Sequence, residues 1–206
     1  MSDICFIFGA GPFYGLPVAP QDGDHIIAAD GGLRHCLAEG LTPELVLGDL
    51  DSLDRVPEAL SSKLYPVEKD DTDTMLAIRT GLARGYRRFH LYGGTGGRMD
   101  HTLANLQALG FLAQHGAQGW LYDERYVFTA IRDGGALDLP RRDAGIFSVF
   151  CLGAEALGVS ITGAQYPLDR AAVSPWFPIG VSNHFIGQAP RIAVEAGCLL
   201  VGWELA

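Results

Sequence analysis

The sequence predicts an α/β chain: a parallel sheet with crossover helices, followed by a smaller, all-β, sandwich-like domain. Up to about His115, apolar β-rich runs alternate with segments of helical periodicity, the pattern of parallel strands joined by helices. From about Gln118 onward, short β-like runs are separated by Gly, Pro, Asp and Asn, and no long helical pattern recurs. A third observation locates the chemistry. Three aspartate clusters, each punctuated by Gly or Thr, each follow an apolar run that reads as a strand. If those strands are parallel neighbours, their carboxyl ends carry the aspartates into one crevice, the usual ligand position in open α/β sheets.

The elements follow in order. Ile4 to Phe8 and His25 to Ala29 read as strands, and Gly31 to Glu39 as a short helix closed by Gly40, where a left-handed residue is expected. Leu45 to Leu47 is a short strand. Thr72 can cap a helix through about Arg84, because Met75, Leu76, Ile78, Leu82 and Ala83 recur near helical spacing and Gly85 ends the run. Phe89 to Tyr92 is the next strand and Met99 to His115 the next helix, which together give a Rossmann-like sheet. The β-like runs of the second part are Trp120 to Tyr122, Tyr126 to Ile131, Ile146 to Cys151, Val159 to Ile161, Ile192 to Glu195 and Leu199 to Trp203. The boundary is expected near Gly116 to Gly119.

Composition narrows the function classes. A chain of 206 residues, 48% hydrophobic and 19% charged, is long enough to bury a core and is not of disordered type. A net charge of −9 argues against binding nucleic acid, since no Lys/Arg cluster is available to neutralise a run of phosphates. Cys5, Cys36, Cys151 and Cys198 are scattered without metal-ligand spacing, which points to reduced thiols in a cytoplasmic protein and away from zinc. The start lacks the basic region of a signal peptide, and no apolar stretch is long enough to span a bilayer, so a soluble protein is expected.

The first cluster, Gly48-Asp49-Leu50-Asp51-Ser52, sets two carboxylates at strand spacing, on one side if the backbone stays extended. Taken alone it also reads as an Asp-rich turn. The second, Asp70-Asp71-Thr72-Asp73, reads as a helix N-terminus, where acidic residues complement the macrodipole. Asp73 is the one expected to point back into the crevice, and Lys69 can meet a phosphate there or stand in solvent. The third, Gly93-Gly94-Thr95-Gly96-Gly97-Arg98-Met99-Asp100-His101, is the strongest. Four glycines in five positions between a strand and a helix are conformationally expensive and suit close approach of backbone to a ligand. The amides at the helix start favour phosphate oxygens, Arg98 offers a planar fork, and Asp100 can hold the counter-metal. Packed carboxylates repel, so the set calls for protons or cations, and hard oxygen ligands beside a glycine turn favour magnesium with a polyphosphate.

Two further motifs flank these. Ala29-Asp30-Gly31-Gly32 lies at a strand end and helix start, where Asp30 can accept bonds from a substrate or a ribose. Gly9-Ala10-Gly11-Pro12-Phe13-Tyr14-Gly15 departs from a dinucleotide fingerprint, because its third glycine is one position late and Pro12 intervenes; it reads as a loop closing over the site.

The ordered series Ala29-Asp30-Gly31-Gly32, Gly48 to Ser52, Asp70 to Asp73 and Gly93 to His101, with an α/β half preceding a β-rich half, resembles the thiamine pyrophosphokinase family over nearly the whole chain. The resemblance implies transfer of the pyrophosphoryl group of ATP to the hydroxyl of thiamine, with release of AMP and dependence on Mg2+. It implies a homodimer with active sites between the α/β half of one subunit and the β half of the other. Carried over, Asp49, Asp51, Asp73 and Asp100 look like magnesium carboxylates and Arg98 like a phosphate contact. Asp30, Gly31, Gly32, Lys69, Asp70 and Thr72 are expected around the nucleotide, together with Gly94, Thr95, Gly96 and Gly97. Residues 1–118 then form the nucleotide- and metal-binding catalytic domain, and residues 119–206 the thiamine-binding and dimerisation domain. In the β half, Ser182-Asn183 looks like the family's substrate segment, with a plain β-turn as the alternative. Tyr166 falls where relatives carry a stacking Trp, and Trp176 competes for that place. No dedicated general base is assigned. Rival readings are a pyrophosphokinase acting on another heterocyclic alcohol, such as a pterin, and a non-catalytic nucleotide or thiamine diphosphate sensor.

Overall fold

The computed structural model describes residues 2–48 and 71–205, which divide into two compact units. The first takes in residues up to 108 together with 116–124. Its elements are β1 (Ile4–Phe8), β2 (His25–Ala29), α1 (Gly32–Ala38), β3 (Leu45–Leu47), α2 (Asp73–Ala83), β4 (Arg88–Tyr92), the start of α3 (Met99–Gln114) and β5 (Gln118–Tyr122). The five strands lie in the order β5-β4-β1-β2-β3 and every ladder is parallel. Strands buried on both faces read as continuous apolar runs, as Cys5-Phe6-Ile7-Phe8 and His25-Ile26-Ile27-Ala28-Ala29 do. The sequence pattern groups Trp120–Tyr122 with the β-rich half, whereas the ladder pairs β5 with β4 in parallel.

One face of this sheet carries aromatic rows set by register. Phe6, His90 and Trp120 lie in line across β1, β4 and β5, with ring centroids 4.8 and 5.0 Å apart. Phe8, Tyr92 and Tyr122 make a second row at 5.4 and 4.7 Å. No helix or strand lies between β1 and β2. The connecting segment itself packs on the second row: Phe13 lies against Phe8 and Tyr92, and the Tyr92 hydroxyl donates to the Val18 carbonyl at 2.6 Å. Helix α2 begins at Thr72, whose hydroxyl accepts from the Met75 amide at 3.2 Å. It packs closely through Gly81, where a Cβ would come 2.6 Å from the Phe89 ring.

Burial lowers the His90 imidazole from 6.5 to about 4, while its Nδ1 lies 2.8 Å from the Tyr122 hydroxyl. An unfolded chain takes up that proton near 6.5 and the folded one only near 4, so stability rises with pH across this window and falls on acidification. The full swing is on the order of 3 kcal/mol. His25, also lowered chiefly by burial, adds in the same sense. Urea melts from pH 7 to pH 4 are expected to show this loss, and His90→Phe, which keeps the stacked row, is expected to flatten it. An unchanged slope in that variant would remove His90 as its source.

The second unit comprises residues 109–115 and 125–205. Its strands are β6 (Tyr126–Arg132), β7 (Ala136–Asp138), β8 (Ile146–Cys151), β9 (Ala156–Thr162), β10 (Leu168–Val173), β11 (Asn183–His184), β12 (Arg191–Ala193) and β13 (Cys198–Glu204). One antiparallel layer runs β11-β8-β13-β6 and a second, smaller sheet runs β10-β9-β12-β7. Inward side chains of both meet in one core that includes Phe147, Val149, Val159, Ile161, Ile192 and Val201. The sandwich-like expectation agrees with this arrangement. Three strands escape the sequence pattern. β7 and β11 span only three and two residues. β10 reads Leu-Asp-Arg-Ala-Ala-Val, with Arg170 at φ +47 and shifts in its register against β9. Among the described residues no helix is long and apolar enough to cross a membrane.

Candidate active site

In the first unit the strand order reverses beside β1, since β2 lies on one side and β4 on the other. The connections that leave β1 and β4 run on to opposite sides of that point, and a crevice opens at the carboxyl ends of the strands there. A cavity of about 500 Å³ occupies that position. Its walls come from four loops: Gly9 to Gly11 after β1, Ala29 and Asp30 after β2, Asp71 to Thr74 at the start of α2, and Gly93, Gly94, Thr95, Gly97 and Arg98 after β4. His101, Thr102 and Asn105 of α3 complete it.

The two glycine turns are interlocked. The Gly9 amide donates to the Tyr92 carbonyl at 2.8 Å and the Gly11 amide to the Gly93 carbonyl at 2.9 Å. A Cβ on Gly93, which has φ +63, would lie 2.3 Å from the Gly9 carbonyl oxygen, and one on Gly11 would lie 2.7 Å from that of Gly93. Neither turn tolerates a side chain at these contacts. The Gly9-x-Gly11 motif thus has a packing cause, and its loop lines the cavity. From α3 the buried Asn105 amide donates to the Gly94 carbonyl at 2.8 Å, and after β5 the Asp123 carboxylate accepts from the buried Thr95 hydroxyl at 2.6 Å.

Asp30 enters from the β2 end in a left-handed conformation, φ +49, which is uncommon outside glycine and clusters at functional positions. Its amide donates to the Leu47 carbonyl at 2.6 Å. Gly32 lets α1 start against β1, because a Cβ there would fall 1.8 Å from the Phe8 carbonyl oxygen. Thr72 and Asp73 line the cavity, while Asp71 ion-pairs with Arg79. Arg98 also lines it, and its fork closes on Asp100 through Nε at 3.1 Å and Nη2 at 2.6 Å. Chiefly through that contact the Asp100 carboxyl is held down at about 2. Asp100, in the first turn of α3, also accepts from the His101 amide at 3.0 Å, one of the amides that a helix start leaves without an intrahelical partner.

Of the residues expected in the site, Asp30, Thr72, Asp73, Gly94, Thr95, Gly97 and Arg98 therefore share one cavity wall. Gly32 and Gly96 serve packing, the latter beneath the Tyr14 hydroxyl, where a Cβ would approach to 2.1 Å. Asp100 joins the site through Arg98. Asp49, Asp51, Lys69 and Asp70 lie outside the described residues. Among the described residues no three His, Cys, Asp or Glu side chains form a group able to hold a metal ion. Asp30 and Asp73 nevertheless bring hard oxygen donors, the class magnesium takes, to the cavity wall.

In the second unit, Asn183 is buried and spends its side chain on Tyr166: its Nδ2 donates to the Tyr166 carbonyl at 2.7 Å and its Oδ1 accepts from the Tyr166 amide at 3.0 Å. Ser182, at φ +58, donates its amide to the Ser148 hydroxyl at 3.1 Å. The Tyr166 ring is exposed, and Trp176 more so, at 90%.

Asn105 and Asp123 were not legible as site residues. Asn105 did leave a trace, since it shares with Ala108, Leu109 and Leu112 the buried stripe of α3, where an amide is out of place unless bonded.

This arrangement is not isolated among known proteins. The model of the thiamin pyrophosphokinase catalytic domain matches residues 20–120, and that of the thiamin pyrophosphokinase vitamin B1 binding domain matches residues 137–199. A thiamine pyrophosphokinase of Bacillus subtilis is 26% identical over 182 residues, covering 85% of each chain. Among solved structures, a thiamin pyrophosphokinase family protein of Enterococcus faecalis is 28% identical with a TM-score of 0.81 over the full length of both chains. The fold extends further than sequence does: the thiamin pyrophosphokinase of Candida albicans, 12% identical, reaches a TM-score of 0.80 over 98% of this chain and 90% of its own. Two domain models of one family, matched in order on a backbone that follows its members end to end, leave one assignment: the chain belongs to the thiamin pyrophosphokinase family.

Proposed function

We propose that the crevice at the ends of β1, β2 and β4 is where this chain transfers the pyrophosphoryl group of ATP to the hydroxyl of thiamine, releasing AMP. The observation that carries this reading is the convergence of the glycine turn, Arg98, Asp30 and Asp73 on one cavity, in a chain matched by both domain models of the family. Backbone amides of residues 94–97 and the Arg98 guanidinium supply donors for phosphate oxygens, and they hold the transferred group in place while its charge redistributes. Attack by an alcohol on phosphorus asks chiefly for alignment and charge stabilisation, and this wall is built for those tasks.

Asp49, Asp51, Asp73 and Asp100 are the carboxylates proposed to hold magnesium, with Asp30 beside them as an acceptor for the nucleotide. When bound, the metal screens the polyphosphate and lowers the pKa of the attacking hydroxyl. The accompanying fold reading is Rossmann-like: from the β3 edge the order is 3-2-1-4-5, with a covering loop in place of the first crossover helix. A homodimer is proposed with it, supported by the exposed run of Trp176, Phe177, Ile179 and Val181, and light scattering tests it. We place the protein in the cytoplasm.

The direct test is an assay for AMP release that requires thiamine and magnesium together; absence of thiamine-dependent AMP would end the reading. Asp100→Asn is expected to lower turnover about 100-fold or more with an unchanged melting temperature, because the carboxylate is exposed and serves the site more than the fold. Wild-type turnover in that variant would take Asp100 out of the metal set.

A further inference from the structure

The glycine turn presents a mechanical problem. Gly93 and Gly96 both sit at positive φ, +63 and +75, and a segment this rich in glycine has many conformations to lose. Its amides serve a phosphate only if the peptide planes are held in one orientation.

Two planes are held by their carbonyls. In a trans peptide the N–H points opposite to the preceding C=O. The Gly93 carbonyl is taken by the Gly11 amide, which turns the Gly94 N–H the other way; the Gly94 carbonyl is taken by Asn105, which does the same for the Thr95 N–H. Among the described residues, none accepts from the amides of Gly94, Thr95, Gly96 or Gly97. At the next plane, between Thr95 and Gly96, no such carbonyl bond is made among the described residues. What fixes the chain there is a side chain: the Thr95 hydroxyl, 4% exposed, donates to Asp123 at 2.6 Å. Asp123 follows β5 and so is anchored by the sheet, and it lies beyond residues 20–120, the stretch matched by the catalytic domain model.

We propose that Asp123 is a positioning residue for the nucleotide's polyphosphate: gripping the Thr95 hydroxyl, it locks the glycine turn with its amides available to phosphate oxygens. The inference rests on the reading of this crevice as the nucleotide site. It also assigns a direction of effect. Loosening the latch weakens contacts to ATP and leaves the thiamine contacts alone.

The test compares Thr95→Val, Thr95→Ser and Asp123→Ala with the wild-type protein. Calorimetry measures the Kd of a non-hydrolysable ATP analogue with magnesium, and steady-state assays measure KM for ATP and for thiamine. Thr95→Val and Asp123→Ala are each expected to raise the analogue Kd and the ATP KM roughly tenfold or more, with the thiamine KM within about twofold of wild type. Thr95→Ser, which keeps the hydroxyl, is expected to restore most of the loss. The Thr95→Val/Asp123→Ala double variant is expected to be no worse than either single, since both cut one bond. A wild-type analogue Kd in Thr95→Val, equal shifts in both KM values, or a Thr95→Ser variant as poor as Thr95→Val would overturn the proposal. Should Asp123→Ala fail to fold, the Val and Ser variants read the same latch from its other end. A wild-type protein that binds the analogue without thiamine-dependent AMP release would sink the acceptor assignment and leave the Kd comparison decisive; one that binds no analogue would overturn both.

Discussion

Gly93→Ala is expected to cut thiamine-dependent AMP release by about 100-fold or more and to lower stability by about 2–4 kcal/mol. Two costs are combined. At φ +63 any L side chain is strained, which costs roughly 1–2 kcal/mol. The added Cβ would also stand 2.3 Å from the Gly9 carbonyl oxygen and 3.2 Å from that of Gly11, and both are backbone atoms with no rotamer to yield. Relief requires the turn after β1 to move away from the turn after β4, which breaks the bond from the Gly11 amide to the Gly93 carbonyl. Displacement of the phosphate-facing amides by about an ångström is enough for the loss in turnover. Gly85→Ala separates the two costs. Gly85 has φ +93 with nothing within 4 Å of its built Cβ, so that variant is expected to lose about 1 kcal/mol and keep its activity. Thermal melts and the AMP assay on both variants check this; full turnover in Gly93→Ala would show that the two turns are not coupled to the reaction.

The sequence pattern was most informative where one physical cause dominated. Ile4–Phe8, His25–Ala29 and Leu45–Leu47 are apolar runs bounded by turn residues, and they are strands at those positions. Thr72 and Gly85 frame α2 because a hydroxyl cap and a left-handed glycine are local chemistry. Acidic residues and repeated glycines at strand ends stand out in a sequence because they are costly without a ligand, and Asp30, Asp73 and the glycine turn line one cavity. Side chains whose role is to hold others do not stand out. Asp123 is an ordinary aspartate after a strand until Thr95 is placed beside it, and β5 joins the parallel sheet only because β4 offers it an edge. Asn183, read as a substrate contact by resemblance, has its amide engaged by Tyr166, a long-range pairing that no local pattern encodes.

Arg98→Ala is expected to lower turnover by about 10²–10³-fold while leaving the melting temperature within the range of ordinary surface substitutions. The guanidinium is 72% exposed and its carboxylate partner 65% exposed, so solvent screens the pair and its removal costs the fold little. The function lost is of another kind, since Arg98 lines the cavity beside the glycine turn: its Nε and Nη2 hold Asp100, and the other N–H groups of the guanidinium are the donors proposed for a phosphate. Arg98→Lys tests whether charge or geometry matters: an ammonium keeps the charge but cannot form the fork, so it is expected to recover no more than about tenfold. Acidity does not disturb the pair within the working range. The Asp100 carboxyl titrates near 2, below its ordinary value, so the ionic contact persists above that pH and is lost only as pH falls through it. If Arg98 served merely to hold Asp100, then Arg98→Ala, Asp100→Asn and the double variant would share one defect. If each contacts the phosphates or their metal separately, the double variant falls well below either single. Turnover of the three variants against wild type decides between these, and wild-type turnover in Arg98→Ala would remove the guanidinium from the catalytic wall altogether.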